Sequence, residues 1–168
     1  AKFLRDHGRS DKIPYYTLEA TPKYMPSNLQ ASLGFAQFQR IDDLVSRKRE
    51  FLHMYKKFLS DVPDLQFNVE SDDVKNGVWA TTIVFGKSHH MEKRDAIKRL
   101  FELDVPARPF FYPLSSLPAY EHYGTGSRSK NPHSYDVSGR GVTLPCAYNL
   151  TEKQIRKVCN GIKTILGC

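Results

Sequence analysis

The sequence predicts a two-layer α/β domain: a small sheet, helices packed on it, and a long helix near the N-terminus. Three observations predict it. Two capping boxes, Ser27-Asn28-Leu29-Gln30 and Thr151-Glu152-Lys153-Gln154, each open an amphipathic run. The stretch Val78 to Phe85 is β-branched and aromatic throughout, the profile of a strand covered on at least one face. With 168 residues, 40% hydrophobic and 12% aromatic, the chain is long enough to bury a core of its own.

Taken in order, Phe3 and Leu4 read as the last turns of a helix that Gly8 stops, as though the chain were cut from a larger protein. From Arg9 to Pro26 the chain is polar and aromatic and punctuated by Pro14, Pro22 and Pro26, which predicts a long extended loop. Ser27 then starts a helix, or two in succession, running to about Ser60. Its apolar stripe is Leu29, Leu33, Ala36, Ile41, Leu44, Phe51, Tyr55 and Phe58. Pro63 prevents further extension. Leu65 to Val69 alternates as an edge strand does. A helix from a Ser88 cap through Leu103 would turn Ala96, Ile97, Leu100 and Phe101 inward. A short strand follows near Ala107 to Phe110, then a rigid aromatic turn and short helix over Tyr112 to Pro118. Glu121 to Gly141, rich in Gly, Ser, Asn and Pro, reads as irregular. The last helix, from Thr151, points Ile155, Val158, Cys159, Ile162 and Ile165 inward.

Composition narrows the function. No apolar run approaches the roughly 20 residues that span a bilayer, and charges stand where a signal peptide needs an apolar region, so neither membrane nor secretion is expected. Cys146, Cys159 and Cys168 are odd in number and lack metal-ligand spacing, which suits a reduced, cytoplasmic protein. The formal charge of +7 favours an anionic partner. No nucleic-acid-binding signature accompanies it, so a phosphate or nucleotide-linked ligand is expected, not nucleic acid. The densest basic cluster, Arg47-Lys48-Arg49, reads as a solvated helix face.

Several motifs carry no chemistry. His89-His90 lack third and fourth ligands at metal-site spacing, and Ser115 and Ser116 lack His and acid partners. Gly124 to Lys130 lacks the ending of a phosphate loop. Two segments hold more. In Thr21-Pro22-Lys23-Tyr24-Met25-Pro26-Ser27-Asn28 a cation and an aromatic sit on a proline-stiffened loop just before a helix N-terminus, a donor set suited to phosphate. In Pro106-Ala107-Arg108-Pro109-Phe110-Phe111-Tyr112-Pro113 aromatics cluster at a strand exit. They pack in the core or line a ligand site whose charge is Arg108.

These segments, with Phe3-Leu4-Arg5-Asp6-His7-Gly8, Ser27 to Gly34, Leu117-Pro118-Ala119-Tyr120, Gly141-Val142-Thr143-Leu144-Pro145 and Asn149-Leu150-Thr151-Glu152, resemble the DegT/DnrJ/EryC1/StrS sugar aminotransferases. The wording of Arg108 to Tyr112 is most similar to the perosamine-synthase branch. The resemblance implies the C-terminal small domain of a fold-type-I transferase dependent on pyridoxal 5'-phosphate. Residues 1–26 would end the large-domain segment and form the extended loop, 27–60 the connecting helix or helix pair, and 61–168 the small α/β domain. The complete protein would move an amino group from glutamate to a nucleotide-linked keto-sugar, as a homodimer. The lysine that forms the Schiff base, the acid paired with the pyridine nitrogen and the ring-stacking aromatic lie upstream in the family. This chain would therefore carry no catalytic residue and be inactive alone. Lys23 and Tyr24 would reach the partner's cofactor phosphate, and Arg108, Phe110 and Tyr112 would shape the substrate site. Thr21, Met25 and Pro26 depart from the family's usual residues. A same-fold sugar dehydratase is the nearest alternative, and a non-catalytic interaction module the alternative from another class.

Overall fold

A computed structural model describes residues 2–5, 8, 10–13, 16–21, 24–119 and 128–168, which divide into two compact units, 1–41 and 42–168. The first unit begins with a short helix, α1 (Lys2–Arg5). The Gly8 N–H donates to the Phe3 carbonyl at 3.1 Å and its φ of 56° lies in the left-handed region. A Cβ there would also sit 2.3 Å from the Glu19 carbonyl oxygen, so conformation and close approach both require glycine. Ser10 N–H to Tyr16 O and Leu18 N–H to Gly8 O, both 2.8 Å, fold the following loop back on itself. The capping box at Ser27 is present in full and opens α2 (Asn28–Phe38).

The long helix is two helices. A turn at Gln39–Arg40 separates α2 from α3 (Ile41–Phe58). The expected apolar stripe is buried only in its second half: α3 buries Phe51, Leu52 and Tyr55, whereas α2 buries nothing and leaves Leu29 81% exposed.

The second unit holds one antiparallel sheet in the order β1 (Leu65–Phe67), β2 (Thr82–Phe85), β4 (Gly141–Thr143), β3 (Arg108–Pro109). Around it lie α3, α4 (Lys93–Glu102), α5 (Pro132–Arg140) and α6 (Glu152–Leu166). Ile83, Val84 and Phe85 are all buried, so both faces of β2 are covered. The core joins Phe51, Tyr55 and Leu59 to Ile83, Phe85, Leu100, Val142 and the inner face of α6. That face is the expected one, with Ile155, Val158, Cys159, Ile162 and Ile165 buried.

Four expectations about the secondary structure and its inner faces need correction. Strand β2 begins at Thr82, because Val78 takes a left-handed φ of 48° that ends the extended run. Helix α4 begins at Lys93, not at a Ser88 cap. The Ser88 hydroxyl is engaged instead by the Asp64 carboxylate at 2.5 Å, and His90 is left-handed at φ 47°. Phe101 on α4 is 78% exposed. Within the segment expected to be irregular, 132–140 is helical. Pro132 opens α5, Asp136 pairs with Arg140 at 2.5 Å and Ser138 is buried, so tertiary contacts override weak local propensity. Strand β4, only three residues long, gives no periodic signal, yet it joins β2 to β3.

The Arg47-Lys48-Arg49 cluster is not a solvated face. All three side chains are half-buried, and each donates to a different backbone carbonyl: Arg47 to Leu150 (3.0 Å), Lys48 to Cys146, and Arg49 to Asn76 (2.6 Å).

The Tyr55 hydroxyl, fully buried, donates to the Pro145 carbonyl at 2.8 Å, and burial pushes its pKa well above the ordinary phenol range. Tyr55→Phe leaves that carbonyl buried without its donor. Urea unfolding should show a loss of about 1–3 kcal/mol with an unchanged dependence on denaturant.

Candidate functional site

The aromatic segment after Pro106 is held on three sides. Arg108 and Pro109 form edge strand β3, opposite Thr143 and Val142. Proline fits there because an edge strand needs no N–H on its outer side. The Phe110 N–H continues the pairing to Gly141 O at 3.1 Å. A Cβ on Gly141 would meet the Phe110 Cβ at 2.9 Å, so that glycine lets the segment lie close to β4. From below, the Lys93 ammonium donates to Phe110 O (3.3 Å) and Ser138 Oγ (3.0 Å) and lies 3.6 Å from the centre of the Tyr112 ring. Ser138 in turn donates to Phe111 O at 2.8 Å. Outside, the Phe111 ring stacks on Trp79 with centroids 5.9 Å apart and planes inclined 17°.

Beside this segment lies a cleft of about 380 Å³. Arg108 and Thr143 form one wall, Trp79 and Ala80 another, and Lys48 with Pro145 and Cys146 a third. The Lys48 ammonium donates to the Cys146 carbonyl. Two cations with an exposed indole beside them can hold an anion that carries a flat ring. Phe110 and Tyr112 do not line this cleft, and Tyr112 is 46% exposed. A second hollow of about 490 Å³ lies beyond the end of β2, between the residues leading into α4 and the later turns of α5. Its lining carries the cations Lys87, Arg128 and Arg140 and the carboxylates Glu92 and Asp136. The hydrogen bond from Arg140 holds the Asp136 carboxyl below its ordinary range.

The remaining expected site residues belong to the first unit. Lys23 lies outside the described residues. Tyr24 is 75% exposed, and the Thr21 hydroxyl oxygen is buried without a hydrogen-bond partner among the described residues. At the start of α2 the capping box already uses the N–H groups of Ser27 (2.8 Å) and Gln30 (3.4 Å). The other motifs have structural partners: His89 Nε2 meets Pro63 O at 2.8 Å, Ser115 meets the Tyr135 hydroxyl, and Ser116 donates to Pro113 O. Residues 124–127 of the glycine-rich stretch lie outside the described residues. Sequence reasoning missed Lys48, Trp79, Lys93 and Ser138. A lysine on an amphipathic helix carries no sign of its partner, and Trp79 sat inside what read as a strand.

The model of the DegT/DnrJ/EryC1/StrS aminotransferase family matches residues 1–163. The chain is 32% identical to a GDP-perosamine synthase of Vibrio cholerae over 145 residues, covering 86% of this chain and 39% of that protein. It is 33% identical to one of Escherichia coli O157:H7 over 141 residues, covering 83% and 36% respectively. The chain thus spans less than half the length of these relatives. Its fold is that of a putative sugar aminotransferase, Spr1654 from Streptococcus pneumoniae, in its PLP form. The TM-score is 0.85 at 18% identity, over 99% of this chain and 42% of that one. Among the described residues no helix is long and apolar enough to cross a membrane. With nearly its whole length matched by the family model, this chain belongs to the DegT/DnrJ/EryC1/StrS aminotransferase family.

Proposed function

We propose that this chain acts as the C-terminal part of a pyridoxal-phosphate-dependent aminotransferase that transfers an amino group from glutamate to a nucleotide-linked keto-sugar. The single observation carrying this reading is the family match over residues 1–163. The names of the relatives support the substrate class, and so does the pairing of Arg108 and Lys48 around one cleft. In this reading the two cations meet the diphosphate, Trp79 lies beside the base, and Phe110 and Tyr112 support Arg108 from behind. The free thiols of Cys146, Cys159 and Cys168 suit a cytoplasmic setting.

The residues present fit part of the cofactor. An exposed Tyr24, a Thr21 hydroxyl without a hydrogen-bond partner among the described residues and the N-terminus of α2 make a donor set for a phosphate, with Lys23 beside them in sequence. We assign Lys23 and Tyr24 to the cofactor phosphate of the partner subunit in a homodimer. The residues that hold the pyridine ring and exchange protons with the substrate belong to the part of the family's length that this chain does not span. When bound, the cofactor acts as an electron sink at the carbon that gains or loses the amino group. This chain's own residues orient the sugar nucleotide and exclude water from one side of it.

Three measurements test the proposal. The full-length protein, loaded with pyridoxal phosphate and given glutamate, should aminate a GDP- or dTDP-linked keto-sugar, while the 168-residue chain alone should not. Turnover by the short chain would overturn the upstream placement of the chemistry, and loss of a sugar hydroxyl without amino transfer would mark a dehydratase. Arg108→Ala removes hydrogen bonds to a charged group, worth about 1.5–3 kcal/mol. KM for the nucleotide sugar should therefore rise roughly ten- to a hundredfold, with KM for glutamate unchanged. Lys23→Ala should weaken pyridoxal phosphate binding by a similar factor, read by titrating the apo-protein, with little change in folding. An unaltered Kd would leave the phosphate to the upstream residues.

A further inference from the structure

Lys93 is the first residue of α4 and is only 5% exposed. Lysines are almost never buried unless paired, and burying an ammonium is costly unless its N–H groups find acceptors. Among the described residues no carboxylate forms an ion pair with it. Its acceptors are neutral: Ser138 Oγ, Phe110 O and the face of the Tyr112 ring. Ser138, 4% exposed, passes the contact on to Phe111 O. Three successive residues, 110 to 112, are thus held through directed contacts by one buried cation and one buried hydroxyl. A methionine at position 93 would fill the same space without desolvating a charge, so packing alone does not account for lysine. What only the ammonium supplies is direction: it fixes where one carbonyl, one hydroxyl and one ring must lie, and that hydroxyl fixes the next carbonyl.

We propose that Lys93, acting with Ser138, is a positioning residue for the Arg108 cleft, which it does not itself line. By fixing residues 110–112 it sets the pose of Phe111 against Trp79 and the course of the strand that carries Arg108. The inference rests on the aminotransferase reading only for the identity of the ligand; the placement of the cleft wall stands apart from it.

The test uses Lys93→Met and, should that variant fail to fold, Ser138→Ala, in the full-length protein. Emission from Trp79 is isolated by subtracting the spectrum of the matching variant that also carries Trp79→Phe. The expected result is a red-shifted Trp79 emission, as Phe111 leaves the indole. Calorimetry with inorganic pyrophosphate should show roughly tenfold weaker binding, the loss that follows when a site must be ordered on binding. In turnover, KM for the nucleotide sugar should rise with kcat little changed. Unchanged Trp79 emission and pyrophosphate affinity in a folded variant would overturn the proposal, as would a loss confined to the thermal midpoint. The Trp79 signal needs no turnover, so absence of amino transfer would count against the aminotransferase reading alone.

Discussion

Three adjacent cations on α3 organise the second unit. Residues 47, 48 and 49 are spaced about 100° apart around a helix, so they cannot serve one surface, and each reaches a different backbone carbonyl. Arg47 and Lys48 pin the stretch between β4 and α6 at Leu150 and Cys146; Arg49 pins the approach to β2 at Asn76. Buried or half-buried backbone carbonyls without sheet partners must find donors, and charged donors make the stronger bonds. Each anchor has a consequence further along the chain. Holding Leu150 sets up the Thr151 cap that opens α6. Holding Asn76, whose own side-chain oxygen accepts from Val78 N–H at 2.8 Å, fixes the left-handed turn that presents Trp79 outward.

The two units differ in how they treat apolar surface. In the second, apolar residues spaced for a helix are buried against the sheet. In the first, Leu29, Leu33, Phe35 and Phe38 stay more than 60% exposed, although the helix that carries them is fully capped. Patches of that kind mark contact surfaces. In the proposed enzyme the remaining part of the polypeptide and a second subunit would supply the cover. The chain covers 39% and 36% of the two GDP-perosamine synthases.

What was legible in the sequence follows a physical rule. Helix α6 was readable in full, cap and inner face, because its apolar residues repeat at helical spacing and its start is written in Thr151 and Gln154. Edge strand β1 and the aromatic turn before the Leu114–Ser116 helical turn were readable for the same local reasons. Helix α5 was not, since its Gly, Ser and Pro residues favour a loop until Lys93 donates to the buried Ser138 and Ser138 donates to the Phe111 carbonyl. Strand β4 has three residues, too few for a period of two to register, and its identity comes from pairing on both sides. Of the site, Arg108 and its aromatic neighbours stood out because exposed aromatics next to prolines are costly. Lys48 and Lys93 did not, because a long amphipathic side chain is compatible with both solvent and burial.

Those two lysines solve related problems on different parts of the site. Lys48 ties the Cys146 carbonyl of one cleft wall, and Lys93 ties the Phe110 carbonyl behind another. A hydrophobic side chain in either place could fill space but could not dictate the orientation of a peptide group. A carboxylate partner could neutralise the charge, and the site would then repel the anion it is suited to receive. Tethering each ammonium to a neutral carbonyl avoids both outcomes: the side chain is ordered before any ligand arrives, and no carboxylate stands opposite it among the described residues. An anion entering between Arg108 and Lys48 therefore meets a tethered lysine beside a strand already set in place, and less of the binding free energy is lost to ordering the site. The cost is the desolvation of one buried cation, which the hydroxyl of Ser138 and the face of Tyr112 offset in part.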